Sequence, residues 1–148
     1  MRKYDLLKEP QTFHLNDYLS EISIVCKNCS IDLLYFFGGY ANGKISKLSD
    51  LDFAYYSAKK IDADKLFIKF STLFHREDID LVDLRQAPSL ISFQAIKTGK
   101  LLFCSNDKIK PYLEYSIITK YLNTRHLRSR FHESFKDAVL KGNFYAQN

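Results

Sequence analysis

Phe37-Gly38-Gly39-Tyr40-Ala41-Asn42-Gly43-Lys44-Ile45-Ser46-Lys47-Leu48-Ser49-Asp50-Leu51-Asp52 decides how this chain folds. An apolar run, 31–37, enters it and ends in a double glycine. A short apolar run of this kind, bounded by a turn signal, predicts a buried strand. After ten polar-rich residues an Asp-x-Asp opens a second strand over 50–57. The intervening loop, Gly38 to Ser49, is expected to hold a short helical turn near Ala41 to Ile45.

Working outward, the pattern alternates. Residues 15–29 predict a helix with Leu19, Ile22, Ile24 and Val25 on a broad apolar face and Asn16 as its candidate N-cap. Residues 62–75 place Leu66, Phe67, Phe70, Leu73 and Phe74 at helical spacing. Residues 78–84, Asp-Ile-Asp-Leu-Val-Asp-Leu, alternate as a third strand. Pro88 opens a helix to about Thr98, with Gly99 as its stop. Leu101 to Cys104 form a fourth strand. From about Lys110 to Lys141 the chain is helical, with a bend or break at Asn123-Thr124. The fold class is therefore α/β (α+β), a small mixed sheet flanked by helices. One domain is expected over 1–148: an N-terminal helix (1–30), a sheet core carrying the active site (31–104) and a C-terminal helical segment (105–148).

Composition agrees. The 148 residues are 46% hydrophobic and 26% charged, with twelve Phe, ten Tyr and no Trp, which fits a globular chain rather than a disordered one. A net charge of +5 suits phosphate-rich ligands or an acidic protein surface, and falls short of a nucleic-acid signature. Three cysteines, Cys26, Cys29 and Cys104, make no even disulfide framework and suit a reducing cytoplasm. Cys26-x-x-Cys29 has no second ligand pair for zinc and is read as two helical thiols. The N-terminus shows no signal-peptide pattern, and no segment reaches the ~20 apolar residues of a bilayer span.

The chemistry sits in the acids. Alternation along a strand puts Asp50 and Asp52 on one side, with Leu51 turned to the core. Two adjacent carboxylates repel unless protons or cations compensate. Oxygen-only carboxylate ligation suits Mg²⁺, which usually takes one or two protein carboxylates plus substrate phosphates. The double glycine lets backbone N–H groups approach a phosphate. A phosphate cradle beside a two-metal carboxylate site is equipment for phosphoryl or nucleotidyl transfer. A third carboxylate is expected from the neighbouring strand. Asp78 and Asp80 share a face there with Val82, and Asp83 faces the other way. Asp80, mid-strand between Ile79 and Leu81, is favoured.

These residues resemble the polymerase-β-like nucleotidyltransferase superfamily, whose fingerprint is Gly-Gly/Ser, a ten-residue spacer and Asp-x-Asp. Downstream, Ile79-Asp80-Leu81-Val82-Asp83-Leu84, Arg85-Gln86-Ala87-Pro88 with the helix to Gly99, and Tyr121-Leu122-Asn123-Thr124-Arg125-His126-Leu127-Arg128 look like the minimal nucleotidyltransferase (MNT) antitoxins. The resemblance covers about residues 31–135. It implies that Asp50, Asp52 and Asp80 are catalytic and bind two Mg²⁺ ions, with Asp80 helping to activate the acceptor hydroxyl. It implies that Gly38 and Gly39 hold the ATP triphosphate and that Ser49 supports their loop. It also implies a partner, a HEPN-type toxin ribonuclease, neutralised when AMP from ATP is attached to one of its tyrosines. Two residues depart from the family pattern: Gly39 stands where MNT proteins usually have Ser, and Asn42 where many relatives carry Arg.

Other candidates read more plainly. His14, His75, His126 and His132 share no ligand spacing and are expected at the surface or facing a partner. Lys120, Arg125, Arg128 and Arg130 form an acid-free basic stretch, individually a solvated helix face and together a match for an acidic surface. Tyr35, Phe36, Phe37, Tyr55 and Tyr56 are expected in the core, with Tyr40 as a candidate to stack near a base. The competing functions are an antitoxin that blocks its toxin by binding with little or no catalysis, a small-molecule transferase of the aminoglycoside type, and a basic RNA-binding module that lacks any recognition motif.

Overall fold

The computed structural model describes residues 13–43 and 50–142. A 3-10 turn, Leu15–Tyr18, leads into α1, Leu19–Asn28. Then follow β1 (Leu33–Phe37), a single turn α2 (Gly38–Ala41), β2 (Leu51–Tyr56), α3 (Ala63–Phe74) and β3 (Ile79–Asp83). The chain continues through α4 (Ser89–Thr98), β4 (Lys100–Cys104), α5 (Ile109–Asn123) and α6 (Arg125–Leu140). The strands form one sheet in the order β3-β2-β1-β4. β1 runs antiparallel to β2 and β4, and β2 runs parallel to β3. The expected mixed sheet with flanking helices is thus present.

Alternation along β2 divides the core. Leu51, Phe53 and Tyr55 face α1 and α3, where they meet Ile22, Cys26, Leu34, Phe36, Leu66, Phe70 and Phe74. Phe53, Phe70 and Phe74 stack nearly parallel, with ring centroids 5.2–5.6 Å apart. Ala54 and Tyr56 face the other way, with Leu33, Tyr35, Leu84, Ala95 and Ile117 under α4 and α5. Asp52 alternates onto this second face.

Local chemistry sets the ends. Asp62 caps α3, its side chain accepting from the N–H groups of Asp64 (3.1 Å) and Lys65 (3.2 Å). His75 closes α3 in the left-handed region at φ 53°. Pro88 precedes α4 as expected, but Gly99 ends it for its own reason. Its backbone is extended rather than left-handed, and a Cβ there would overlap the Ala95 carbonyl. Thr124 divides α5 from α6: its hydroxyl donates to the Lys120 carbonyl (2.9 Å) and accepts from Arg128 Nη1 (2.7 Å).

One local expectation is corrected: Asn16 does not cap α1, since it lies inside the 3-10 turn and Tyr18 precedes the helix without a side-chain cap. A single turn, α2, starts directly off β1 at Gly38, which takes a positive φ, and ends at Ala41. Residues 44–49 lie outside the described ones, and with them most of the turn expected near Ala41 to Ile45. Cys26, Cys29 and Cys104 are free thiols, the first two on α1 and its C-terminal cap. Burial, and then Cys29, push the Cys26 thiol up to about 12, which makes it inert. No helix among the described residues is long and apolar enough to cross a membrane.

Candidate active site

The site is built where β1 ends and β2 and β3 begin. Asp52 pairs in register with Phe37 on one side and with Asp80 on the other. Residues directly opposite in neighbouring strands point to the same face. Asp52 and Asp80 therefore share the α4–α5 face at one end of the sheet, and Asp50 precedes them on the β2 side.

Gly38 closes the corner. It sits at φ +80°, and a Cβ at this position would overlap Asp52 Oδ2. Both facts require glycine: the conformation is one that L side chains rarely adopt, and the space a side chain would take belongs to the carboxylate. Gly38 and Gly39 open α2, whose first-turn N–H groups lack intrahelical partners.

The electrostatics follow from this packing. Asp52 is half-buried, and its carboxyl is raised above the usual 3.8 by desolvation first, then by the charges of Asp80 and Asp50. Burial and two like charges all oppose ionisation, a deficit that a divalent cation would fill. The donor chemistry, all carboxylate oxygen, fits Mg²⁺. The ligand sphere is not closed, however: among the described residues no three His, Cys, Asp or Glu side chains converge closely enough to hold a metal.

Asp78, just before β3, and Asp83, at its end, have partners of their own. Asp78 forms an ion pair with Arg76, whose Nε donates to Asp78 Oδ1 at 2.7 Å. That pairing, acting before a smaller opposing desolvation, lowers the Asp78 pKa below 3.8. Asp83 Oδ1 accepts from the Arg85 N–H at 2.9 Å. Of the three, Asp80 is the one in register opposite Asp52. Ser49 lies outside the described residues.

Sequence reasoning missed Arg76. It binds Asp78, donates to Tyr40 Oη at 3.2 Å and lies over the Tyr40 ring, 5.3 Å from its centroid. It thus ties α2 to the approach of β3, and the Arg76-x-Asp78 spacing was the available signal. Tyr40, the candidate to stack near a base, packs edge-on against Phe13 at 6.1 Å and lies under Arg76. Arg128 is likewise committed, stacked over Tyr121 at 3.8 Å and donating to the Tyr121 carbonyl at 2.7 Å. Lys120, Arg125 and Arg130 are exposed, as are His126 and His132.

Comparison with known proteins gives consistent results. A curated protein adenylyltransferase, MntA of Shewanella oneidensis, is 34% identical over 80 residues, covering 49% of this chain and 54% of the relative. The match thus spans about half the length of that relative. A chain from a toxin–antitoxin complex crystallised with AMP-PNP superposes with a TM-score of 0.66 at 25% identity, covering 82% of this chain and 98% of that one. A chain from the complex of a tri-AMPylated Shewanella oneidensis HEPN toxin with its MNT antitoxin shares the fold, with a TM-score of 0.63, 23% identity, and coverage of 84% and 98%. The polymerase beta nucleotidyltransferase family matches residues 20–108. That span, more than half of the chain, contains the glycine corner and all three carboxylates, and this chain belongs to the polymerase beta nucleotidyltransferase family.

Proposed function

We propose that this chain, acting as one minimal nucleotidyltransferase domain, moves AMP from ATP onto a tyrosine hydroxyl of a HEPN-type toxin ribonuclease and so neutralises it. The observation that carries this is the in-register pairing of Asp52 with Asp80 against a glycine whose missing side chain makes room for the Asp52 carboxylate. The named activity of the Shewanella oneidensis relative and the AMP-PNP complex of a similar chain support the donor and the acceptor class.

In this mechanism the N–H groups of the turn at Gly38 and Gly39 bind the triphosphate, with Ser49 supporting the loop. Asp50, Asp52 and Asp80 would hold two Mg²⁺ ions, which when bound supply positive charge to the phosphate oxygens. The tyrosine oxygen attacks the α-phosphorus. A phosphorus–oxygen bond forms to tyrosine as the bond to pyrophosphate breaks. Asp80, the more exposed of the paired carboxylates, takes the hydroxyl proton. An ATP-dependent reaction and three free thiols suit the cytoplasm as the place of work.

The test uses labelled ATP, Mg²⁺ and the purified HEPN-type product of the adjacent gene. Label should appear on the partner and vanish with Asp50→Asn, Asp52→Asn or Asp80→Asn. Absence of label with the unaltered protein, under conditions where it binds the partner, would overturn the transfer. Two residues favour a second reading, an antitoxin that acts by contact: Gly39 stands where MNT proteins usually have Ser, and Asn42 where many relatives carry Arg. Neutralisation that survives Asp52→Asn at full strength would select it.

A further inference from the structure

The same sheet face that carries Asp52 and Asp80 at one end bears a cavity of opposite charge at the other. It lies between α4, α5 and the C-terminal ends of β2 and β3, with a volume of about 520 Å³. Tyr56 on its wall is four residues along β2 from Asp52, roughly 13 Å at the rise of a strand. The cavity is therefore separate from the glycine corner.

Its lining divides into an apolar floor and a cationic rim. Leu84, Ile109, Leu113 and Ile117 form the floor. Arg85, Lys108 and Lys120 are the charged lining residues, and none of the lining residues is acidic. Neither lysine has an ion-pair partner among the described residues. Arg85 is held in place by its Nη1, which donates to the carbonyls of Ser57 (3.3 Å) and Lys59 (3.2 Å). Glu114, on the same helix as Lys120, is occupied: it accepts from Tyr35 Oη at 2.9 Å and pairs with Lys110.

Ser92 is only 3% exposed and lines the cavity, and among the described residues no buried side-chain polar atom lacks a partner, so its hydroxyl is one of the polar groups at the cavity wall. The structure around it supplies donors and acceptors on the cavity side, Ser89 and Ser116 among them. Three cations and no acid lining a concave, partly apolar site concentrate anions, and a volume within the usual 300–1,000 Å³ range accommodates a small organic molecule.

We propose that this cavity binds a small organophosphate with an aromatic or apolar body, of the nucleoside monophosphate class. The phosphate lies among Lys108, Lys120 and Arg85, the body covers the Leu84–Ile117 floor beside Tyr56, and Ser92 hydrogen-bonds the buried part. This goes beyond the transfer reaction and does not depend on it.

Binding is measured on the full chain with AMP as probe, by calorimetry and by amide chemical shifts. Saturable binding is expected, with shifts at Ser89, Ser92 and Ser116. The doubly substituted Lys108→Glu/Lys120→Glu protein should bind AMP at least tenfold more weakly while unfolding at an unchanged temperature. Ser92→Ala should weaken it by a smaller factor, about threefold to tenfold, and Asp52→Asn should leave it unchanged. Inorganic phosphate should bind much more weakly than AMP. The proposal is overturned if AMP does not saturate by millimolar concentration, or if shifts fall at Gly38 and Asp52 instead. Equal binding of phosphate and AMP would also overturn it, since the rim would then hold any anion. Because Asp52→Asn is carried in parallel, failure of the transfer reaction and failure of this site are read separately.

Discussion

The two faces of β2 are neighbours in sequence and opposites in physics. On one, Leu51, Phe53 and Tyr55 are 0, 0 and 4% exposed and locked against α1 and α3. On the other, one residue away, Asp52 holds a carboxylate that desolvation and two like charges push toward protonation. The first face stabilises the sheet. The second leans on that stability to keep acids together that would otherwise separate. The strand's period of two is what allows both tasks within six residues.

Truncating the stabilising face should have the largest effect. Phe53→Ala removes a ring from the Phe70–Phe74 stack and should cost about 3–5 kcal/mol in urea unfolding, with binding and transfer failing together. Asp52→Asn should separate the two: AMP transfer falls on the order of a thousandfold, the scale at which one group stabilising a charged transition state is missed. Thermal stability should hold or rise, because an unfavourable charge has gone. A fall in melting temperature as large as that of Phe53→Ala would show that Asp52 is structural. Gly38→Ala comes next. It places a methyl group on the Asp52 carboxylate and puts alanine at φ +80°, so transfer should fall about a hundredfold, with a stability loss of about 1–2 kcal/mol. Normal activity in that variant would mean that the glycine corner and Asp52 do not work as a unit.

The contrast was visible in the sequence to different depths. The Phe53 face and the Leu66–Phe74 helix announce themselves by spacing, because apolar burial repeats with the period of the element. The Asp50/Asp52 pair was equally plain, since a charged pair at period two on a strand starting after a double glycine has few structural explanations. Preferring Asp80 to Asp78 or Asp83 rested only on its mid-strand place. Its three-dimensional support lay out of reach: the parallel register that sets Asp80 opposite Asp52, and an arginine two residues before Asp78 that pairs with that acid. The contacts of Tyr40 were hidden for the same reason, because Phe13 and Arg76 lie far from it in sequence. Asn16 failed as a cap because the chain inserts a 3-10 turn before α1, a choice set by how Phe13 and Tyr18 stack at 5.4 Å and not by capping preference.

Smaller effects sharpen the comparison at its edges. Asp62→Ala removes the side-chain acceptor for two N–H groups of α3 and should cost about 1 kcal/mol by urea midpoint, without altering nucleotide transfer. A transfer defect there would mean that α3 is coupled to the acidic end.

The smallest effect is also the most discriminating, because two aspartates at the same end of the sheet should titrate with opposite consequences. Asp52 has a folded pKa raised above 3.8, so the native state holds its proton more tightly than the unfolded chain. Its penalty is absent below 3.8, grows as pH rises from there through the raised pKa, and is fully present above it. Asp78 has a folded pKa lowered by Arg76, so its contribution is present above 3.8 and is lost as pH falls through the lowered pKa. The Arg76–Asp78 pair is partly exposed, and solvent screening limits it to about 1 kcal/mol or less. Unfolding midpoints followed across this acid range should therefore change slope in two ways. Asp52→Asn should remove a decline on the high side of 3.8, and Asp78→Asn should remove a rise on the low side. Added Mg²⁺ should abolish the Asp52 component alone, since a cation would stabilise the ionised carboxylate and leave the Arg76 pair untouched. A Mg²⁺ response that persists in Asp52→Asn would place the cation away from the glycine corner.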